Sequence, residues 1–177
     1  MDRNIIIVYK SSTGFTKWYA EQLAAALSCP LLPLKEATAE GLSHYDTVIF
    51  GSRAHAERID SFDKAKALVK QSGVQELILF VTGATPNAAT AIVDKFWANN
   101  LTPEELSSLP HFYMQSGLNY EKMSLPDKLM MKVAATMMKK KKEKTPEDLL
   151  FEEAIAHSFD HKSPEYIQPL LAYLRQL

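Results

Sequence analysis

Four hydroxyl side chains, one glycine and one phenylalanine make up Ser11–Thr16 (SSTGFT), directly after the apolar run Ile5–Tyr9 (IIIVY). An apolar run followed by such a turn reads as a buried strand passing into a helix. The free N–H groups of a first helical turn point into that turn, and the helix dipole adds partial positive charge. Hydroxyls of Ser11, Ser12, Thr13 and Thr16 would add further donors, and Gly14 would let the backbone approach closely, with Phe15 opening the helix. The chemistry is that of holding a phosphate without arginine or lysine. Helix capping by Ser12 or Thr13 is the competing explanation. No GxxxxGK[ST] occurs to serve a nucleoside triphosphate, and no GxGxxG follows the first strand to serve a dinucleotide.

Only six glycines occur, and Gly14, Gly51, Gly83 and Gly117 stand at or just beyond the ends of apolar runs. In an open parallel sheet, ligands bind outside the carboxyl ends of the strands, where strand order reverses. These glycines are therefore expected to admit a ligand, although tight turns also favour glycine. In the turn after the third run, Gly51-Ser52-Arg53-Ala54-His55, Arg53 and His55 are the ionisable groups best placed to act. Their bland alternative is an Arg53 ion pair with Glu57 or Asp60 and a His55 facing water. His111, His157 and His161 have no ligand spacing with acids or with Cys29, so no metal site is expected.

The elements that must position these residues can be read from periodicity. Ile5–Tyr9, Leu31–Leu34, Asp46–Gly51, Glu76–Gly83 and Phe112–Gly117 are short, nearly continuous apolar runs, as buried parallel strands are. Pro33 assigns the second to an edge. Phe15, Trp18, Tyr19, Leu23 and Leu27 share one helical face, as do Phe62, Ala65, Leu68 and Val69, and Ala89, Ile92, Val93, Phe96 and Trp97. Thr102-Pro103-Glu104-Glu105 has capping-box spacing, and Ser163-Pro164-Glu165 opens a last helix carrying Ile167, Leu170, Leu171 and Leu174. Alternating strands and helices predict an α/β fold, a doubly wound five-stranded parallel sheet. The expectation is a single domain, 1–177, with a helix or helical hairpin inserted at about 119–159, between the last strand and the last helix.

That insertion is unlike its host. Between Glu121 and Lys144 eight lysines face three acids, a net +5, leaving −6 on the rest of a chain whose total is −1. Five of the seven methionines lie between Met123 and Met138. Methionine makes an adaptable apolar surface, and a lysine run beside it suits anionic headgroups. Peripheral membrane contact through Met123–Lys144 is one expectation; packing against the domain or against a second subunit in a homodimer is the other.

Balanced charge argues against general nucleic-acid binding. A chain of 177 residues buries about 70% of its unfolded surface and needs no disulfide. A single cysteine and the lack of a long apolar stretch suggest a cytoplasmic protein, with the inner membrane face as a possible docking site.

With Ser11, Thr13, Gly14 and Thr16 in the pattern [ST]-x-T-G-x-T behind a first strand, and HYDTVIFGS (His44–Ser52) as a third, the chain resembles the flavodoxin family. The resemblance covers about residues 4–117 and the last helix. It implies strand order 2-1-3-4-5 and noncovalently bound FMN, with phosphate in 11–16. The flavin ring would lie between the loop Gly51–Arg58, including Ser52, Arg53, Ala54 and His55, and the loop Thr82–Asn87, including Gly83, Ala84 and Thr85, with Gly117 nearby. Neither loop has the aromatic residues that commonly stack on the ring; His55, or Tyr120 from the insertion, is the substitute expected.

The resemblance also implies roles: Arg53 would stabilise a negatively charged reduced ring, and His55 would orient substrate or carry a proton. The glycine-free stretch after Gly51 should be stiff, which favours a two-electron oxidoreductase over an electron-transfer flavodoxin serving redox partners. A binding module that kept the fold without the cofactor is a third reading. The stretch SGLNYEKMSLPDKLMMKVAATMMKKKKEKTPED resembles the flavodoxin-like menaquinone-dependent protoporphyrinogen dehydrogenases, which implies a quinone acceptor.

Overall fold

A computed structural model describes residues 3–176, apart from the side chains of Glu147, Leu150 and Ala154. Five parallel strands form the sheet: β1 (Ile5–Tyr9), β2 (Leu31–Pro33), β3 (Thr47–His55), β5 (Glu76–Gly83) and β6 (His111–Gln115), in the order β2-β1-β3-β5-β6. This is the expected 2-1-3-4-5 order, and the two-residue β4 (Arg58–Ile59) only folds back on β3. β2 pairs with β1 alone, so Pro33 sits on an edge.

Side chains of a strand alternate between faces, and here both faces are dry. Ile6 and Val8 join Val48, Phe50, Leu79 and Val81 on one side, under α3 (Phe62–Ser72) and α4 (Thr90–Asn100). Ile7 joins Ile49, Ile78, Phe80 and Met114 on the other, under α1 (Phe15–Leu27) and α8 (Gln168–Leu174). Uninterrupted β-branched and aromatic runs suit strands covered twice, which is why they were legible as strands. The last helix opens as a 3₁₀ turn (Pro164–Ile167) capped by Ser163. Thr102 and Glu105 form the expected capping box of α5 (Pro103–Ser108). A four-residue α2 (Ala39–Leu42), capped by Thr38, was not anticipated; it is too short for a 3.6-residue period to show.

The insertion is a helical hairpin, α6 (Leu125–Lys140) and α7 (Pro146–Ala154). A two-stranded ribbon, β7 (Gly117–Leu118) with β8 (Phe159–Asp160), closes its base. Ser124 and Thr145 cap the two helices, each followed by proline in the first turn.

Candidate functional site

The turn Ser11–Gly14 leads β1 into α1 at the carboxyl edge of the sheet, beside β3 and β5. Gly14 is the N-cap, at φ 98°, a conformation that glycine alone adopts freely. Neither Ser12 nor Thr13 caps the helix: α1 has no side-chain cap, and Ser11 Oγ takes only the Gly14 N–H, at 3.2 Å. Among the described residues, then, no side chain caps the first-turn amides of a 13-residue helix. Capping as the reason for these hydroxyls is removed, and a donor set suited to a phosphate monoester remains. Thr16 is buried, and its hydroxyl lies 2.8 Å from that of Thr82, tying the loop to β5.

Around this end of the sheet the structure brings Thr13, Phe15, Thr16, Arg53, Ala54, His55, Thr82, Gly83, Ala84 and Gly117 onto one cleft. Ser11, Ser12, Gly14, Gly51, Ser52 and Thr85 do not line it. The buried Ser52 hydroxyl donates to the Asp60 carbonyl. Burial pushes the Tyr113 hydroxyl pKa up to about 12, against the opposing influence of nearby Thr85.

Three of the four strand-end glycines have a reason different from the one expected. A Cβ on Gly51 would lie 2.0 Å from the Phe80 ring, one on Gly83 2.2 Å from Tyr113 Oη, and one on Gly117 2.0 Å from the Phe159 carbonyl oxygen. Protein atoms already require their smallness, and Gly83 and Gly117 line the cleft as well.

The expected loop Gly51–Arg58 is mostly strand. β3 continues to His55, turns through Ala56 and Glu57, and returns as β4, with Ala54 opposite Ile59 and His55 opposite Arg58. Both turn residues are left-handed, at φ 48° and 62°, as a two-residue hairpin of this hand requires. Without glycine that conformation costs roughly 1–2 kcal/mol per residue, and Asn100 holds it. Asn100 Nδ2 donates to the Glu57 carbonyl at 2.9 Å, and its Oδ1 accepts the Ile59 N–H at 3.0 Å. This pinned hairpin aims Arg53 and His55 at the cleft.

What they meet there is Asp127, in the first turn of α6. Arg53 Nη1 donates to Asp127 Oδ2 at 3.0 Å, His55 Nε2 to Oδ1 at 3.0 Å, and Arg53 Nε to Asp60 Oδ2 at 3.3 Å. Arg53 therefore keeps its expected partner Asp60 and gains a second, while His55 meets a carboxylate and remains 34% exposed to water. Burial alone would raise the Asp127 pKa, but the Arg53 hydrogen bond and charge, followed by those of His55, outweigh it and hold the carboxyl below its usual range. Asp127 is 72 and 74 residues from its partners in sequence, and its only visible signal was an acid at a helix start, which ordinarily reads as dipole compensation.

Met123, Met130 and Met131 add an apolar wall from the insertion. Tyr120 does not: its hydroxyl donates to the Ile155 carbonyl and its N–H to Ser158 Oγ at 3.0 Å, so it pins the insertion's base and does not stack in the cleft. The enclosed volume is about 130 Å³, below the ~300 Å³ at which small-molecule pockets begin. α6, one wall of this cleft, has a single buried side chain among those described, Asp127.

The uncapped start of α1 opens into a cleft lined by β3, β5 and methionines of the insertion, at the carboxyl edge of a doubly wound α/β sheet. The profile of the flavodoxin domain matches residues 6–145, and the chain belongs to that family. Similar solved structures include a WrbA-like flavodoxin from Agrobacterium tumefaciens, at 20% identity over 71% of this chain and 87% of that one, TM-score 0.43. A flavodoxin from the domain Archaea shares 14% identity over 86% and 99%, TM-score 0.41. The two-electron reduced flavodoxin of Megasphaera elsdenii shares 15% over 62% and 82%, TM-score 0.41. No curated protein matches the chain in sequence.

Proposed function

We propose that this protein is an FMN-binding oxidoreductase. The carrying observation is the uncapped start of α1 behind a left-handed Gly14, in a chain of the flavodoxin-domain family. The Thr13–Phe15 amides and the Ser11, Ser12 and Thr13 hydroxyls would hold the phosphate. Ala54, His55, Gly83, Ala84 and the insertion methionines would flank the ring. Bound FMN would supply the redox centre, exchanging electrons and protons with a substrate or a redox partner. Arg53 and His55, held by Asp60 and Asp127, place donors beside that ring, and the pinned Ala56–Glu57 turn favours a two-electron reaction over service as a mobile one-electron carrier.

A quinone is the acceptor that fits the insertion best. Leu125, Leu129, Val133 and Met137 recur every four residues along α6 and are 81%, 64%, 51% and 64% exposed. Lysines 132, 139, 140 and 142 are exposed on the same segment. Such a face supports contact with an anionic bilayer, where a quinone resides. Among the described residues, no helix is long and apolar enough to cross a membrane.

Flavin fluorescence quenching tests the cofactor: FMN should bind wild type stoichiometrically, and Thr13→Val should bind it at least severalfold more weakly. Chains that leave FMN fluorescence unchanged would refute the proposal. Turnover of protoporphyrinogen with a menaquinone analogue tests the substrate; no turnover by FMN-loaded protein would confine the reading to another substrate class.

A further inference from the structure

One cation of the insertion lies at the phosphate end of the cleft. The Lys122 Nζ is 4.0 Å from the position a Cβ would take on Gly14, over the uncapped start of α1. Among the described residues no carboxylate pairs with it; the lysine pairs of the insertion are Lys141 with Asp148 and Lys144 with Glu152. Its neighbour Glu121 is engaged elsewhere, accepting the Ser158 hydroxyl at 2.8 Å.

The backbone carrying Lys122 is fixed independently of α6. Tyr120 is bonded through its N–H to Ser158 and through its hydroxyl to Ile155, and the Lys122 N–H donates to Asn119 Oδ1 at 3.0 Å. These ties belong to the β7–β8 base of the hairpin. If α6 swings back to admit a ring, the turn Asn119–Lys122 can stay where it is.

We propose that Lys122 is a specificity-determining residue of the FMN site: its ammonium group pairs with the ligand's phosphate over Gly14, so that the insertion, and not only the Ser11–Thr16 loop, selects a phosphorylated flavin. The inference rests on the FMN reading above and adds a charge that the first-strand turn does not itself supply. A dianion held by amides and hydroxyls gains from a nearby cation in a contact that salt screens, because Lys122 is exposed.

The test is a fluorescence titration of FMN and of riboflavin into wild type, Lys122→Gln and Lys122→Arg, at low and at high salt. Lys122→Gln should weaken FMN binding about fivefold to tenfold at low salt, a surface-to-phosphate ion pair by size. Riboflavin, which lacks the phosphate, should bind wild type and Lys122→Gln alike, Lys122→Arg should stay close to wild type with FMN, and high salt should narrow the FMN gap. Equal FMN affinity in wild type and Lys122→Gln at low salt, or an equal loss for riboflavin, would overturn the proposal while leaving the FMN reading intact. Wild type that binds neither flavin would refute that reading itself.

Discussion

The sheet and the insertion bury opposite kinds of side chain. In β1, β3 and β5 most covered residues are hydrocarbon, with Ile7, Ile49, Phe50, Ile78 and Phe80 at 0% exposure. In α6 the covered residue is an acid, Asp127 at 8%, while Leu125, Leu129, Val133 and Met137 face outward. The first region is held by area removed from water, at about 25 cal/mol per Å²; the second is held to the first by charge and a few methionines. A helix attached in that manner can move as a unit without unfolding the sheet beneath it.

The largest test of the contrast lies in the sheet. Phe80→Ala removes a ring packed against the bare Gly51 backbone and should cost about 3–5 kcal/mol, read as a lower urea midpoint at unchanged m-value. A loss below about 1 kcal/mol would mean that the sheet is not the stable region.

Asp127→Asn comes next. It weakens two bonds to charged groups, each worth about 1.5–3 kcal/mol, but asparagine can keep one of them. A net local loss of about 2 kcal/mol should speed amide exchange in α6 by roughly thirtyfold, with β1, β3 and β5 unchanged. On the FMN reading it should also speed FMN association, by freeing α6 to yield to the ring. Uniform faster exchange through α6 and the sheet together would show that the insertion is part of the same cooperative unit.

Acid should loosen the same attachment without mutation. The folded Asp127 carboxyl titrates below its usual value, so its contribution is complete above the ordinary aspartate pKa of about 3.9 and is lost as pH falls through the lower folded value. Arg53, His55 and Asp60 are the other ionisable groups around it. Exchange in α6 of wild type, corrected for intrinsic rates, should not respond to this carboxyl between pH 7 and about pH 4 and should rise below. Asp127→Asn should lack the acid rise.

How far these regions were legible follows from the same contrast. Strands covered on both faces must be apolar at every position, so IIIVY, TVIFG and ELILFVTG announced themselves. The hydroxyl-rich turn Ser11–Thr16 was legible because its residues are contiguous. Asp127 was not, because it meets Arg53 only after two crossovers and the entry into the insertion have brought residue 127 over residue 53. The Ala56–Glu57 hairpin was hidden for another reason: its left-handed residues are stabilised by Asn100 from α4, not by glycine, so no local turn chemistry marked it. The strand-end glycines were ambiguous because glycine answers equally to a ligand and to a neighbouring ring.

The smallest expected effect is also the most pointed. Leu129→Gln with Val133→Gln replaces two apolar residues at the centre of the α6 stripe. In a packed helix such a pair would cost several kcal/mol, but at 64% and 51% exposure the change should stay within about 0.5 kcal/mol for each. Leucine and glutamine have similar helix propensity and valine is the poorer helix former, so α6 itself loses little. Vesicles containing phosphatidylserine should nonetheless retain the variant less than wild type, because the removed side chains are those that would enter the acyl boundary. Unchanged urea stability with weakened vesicle binding assigns the stripe to an external surface. A large loss of stability would place these side chains in contact with protein, and the division between a hydrocarbon-held sheet and a charge-held helix would fail.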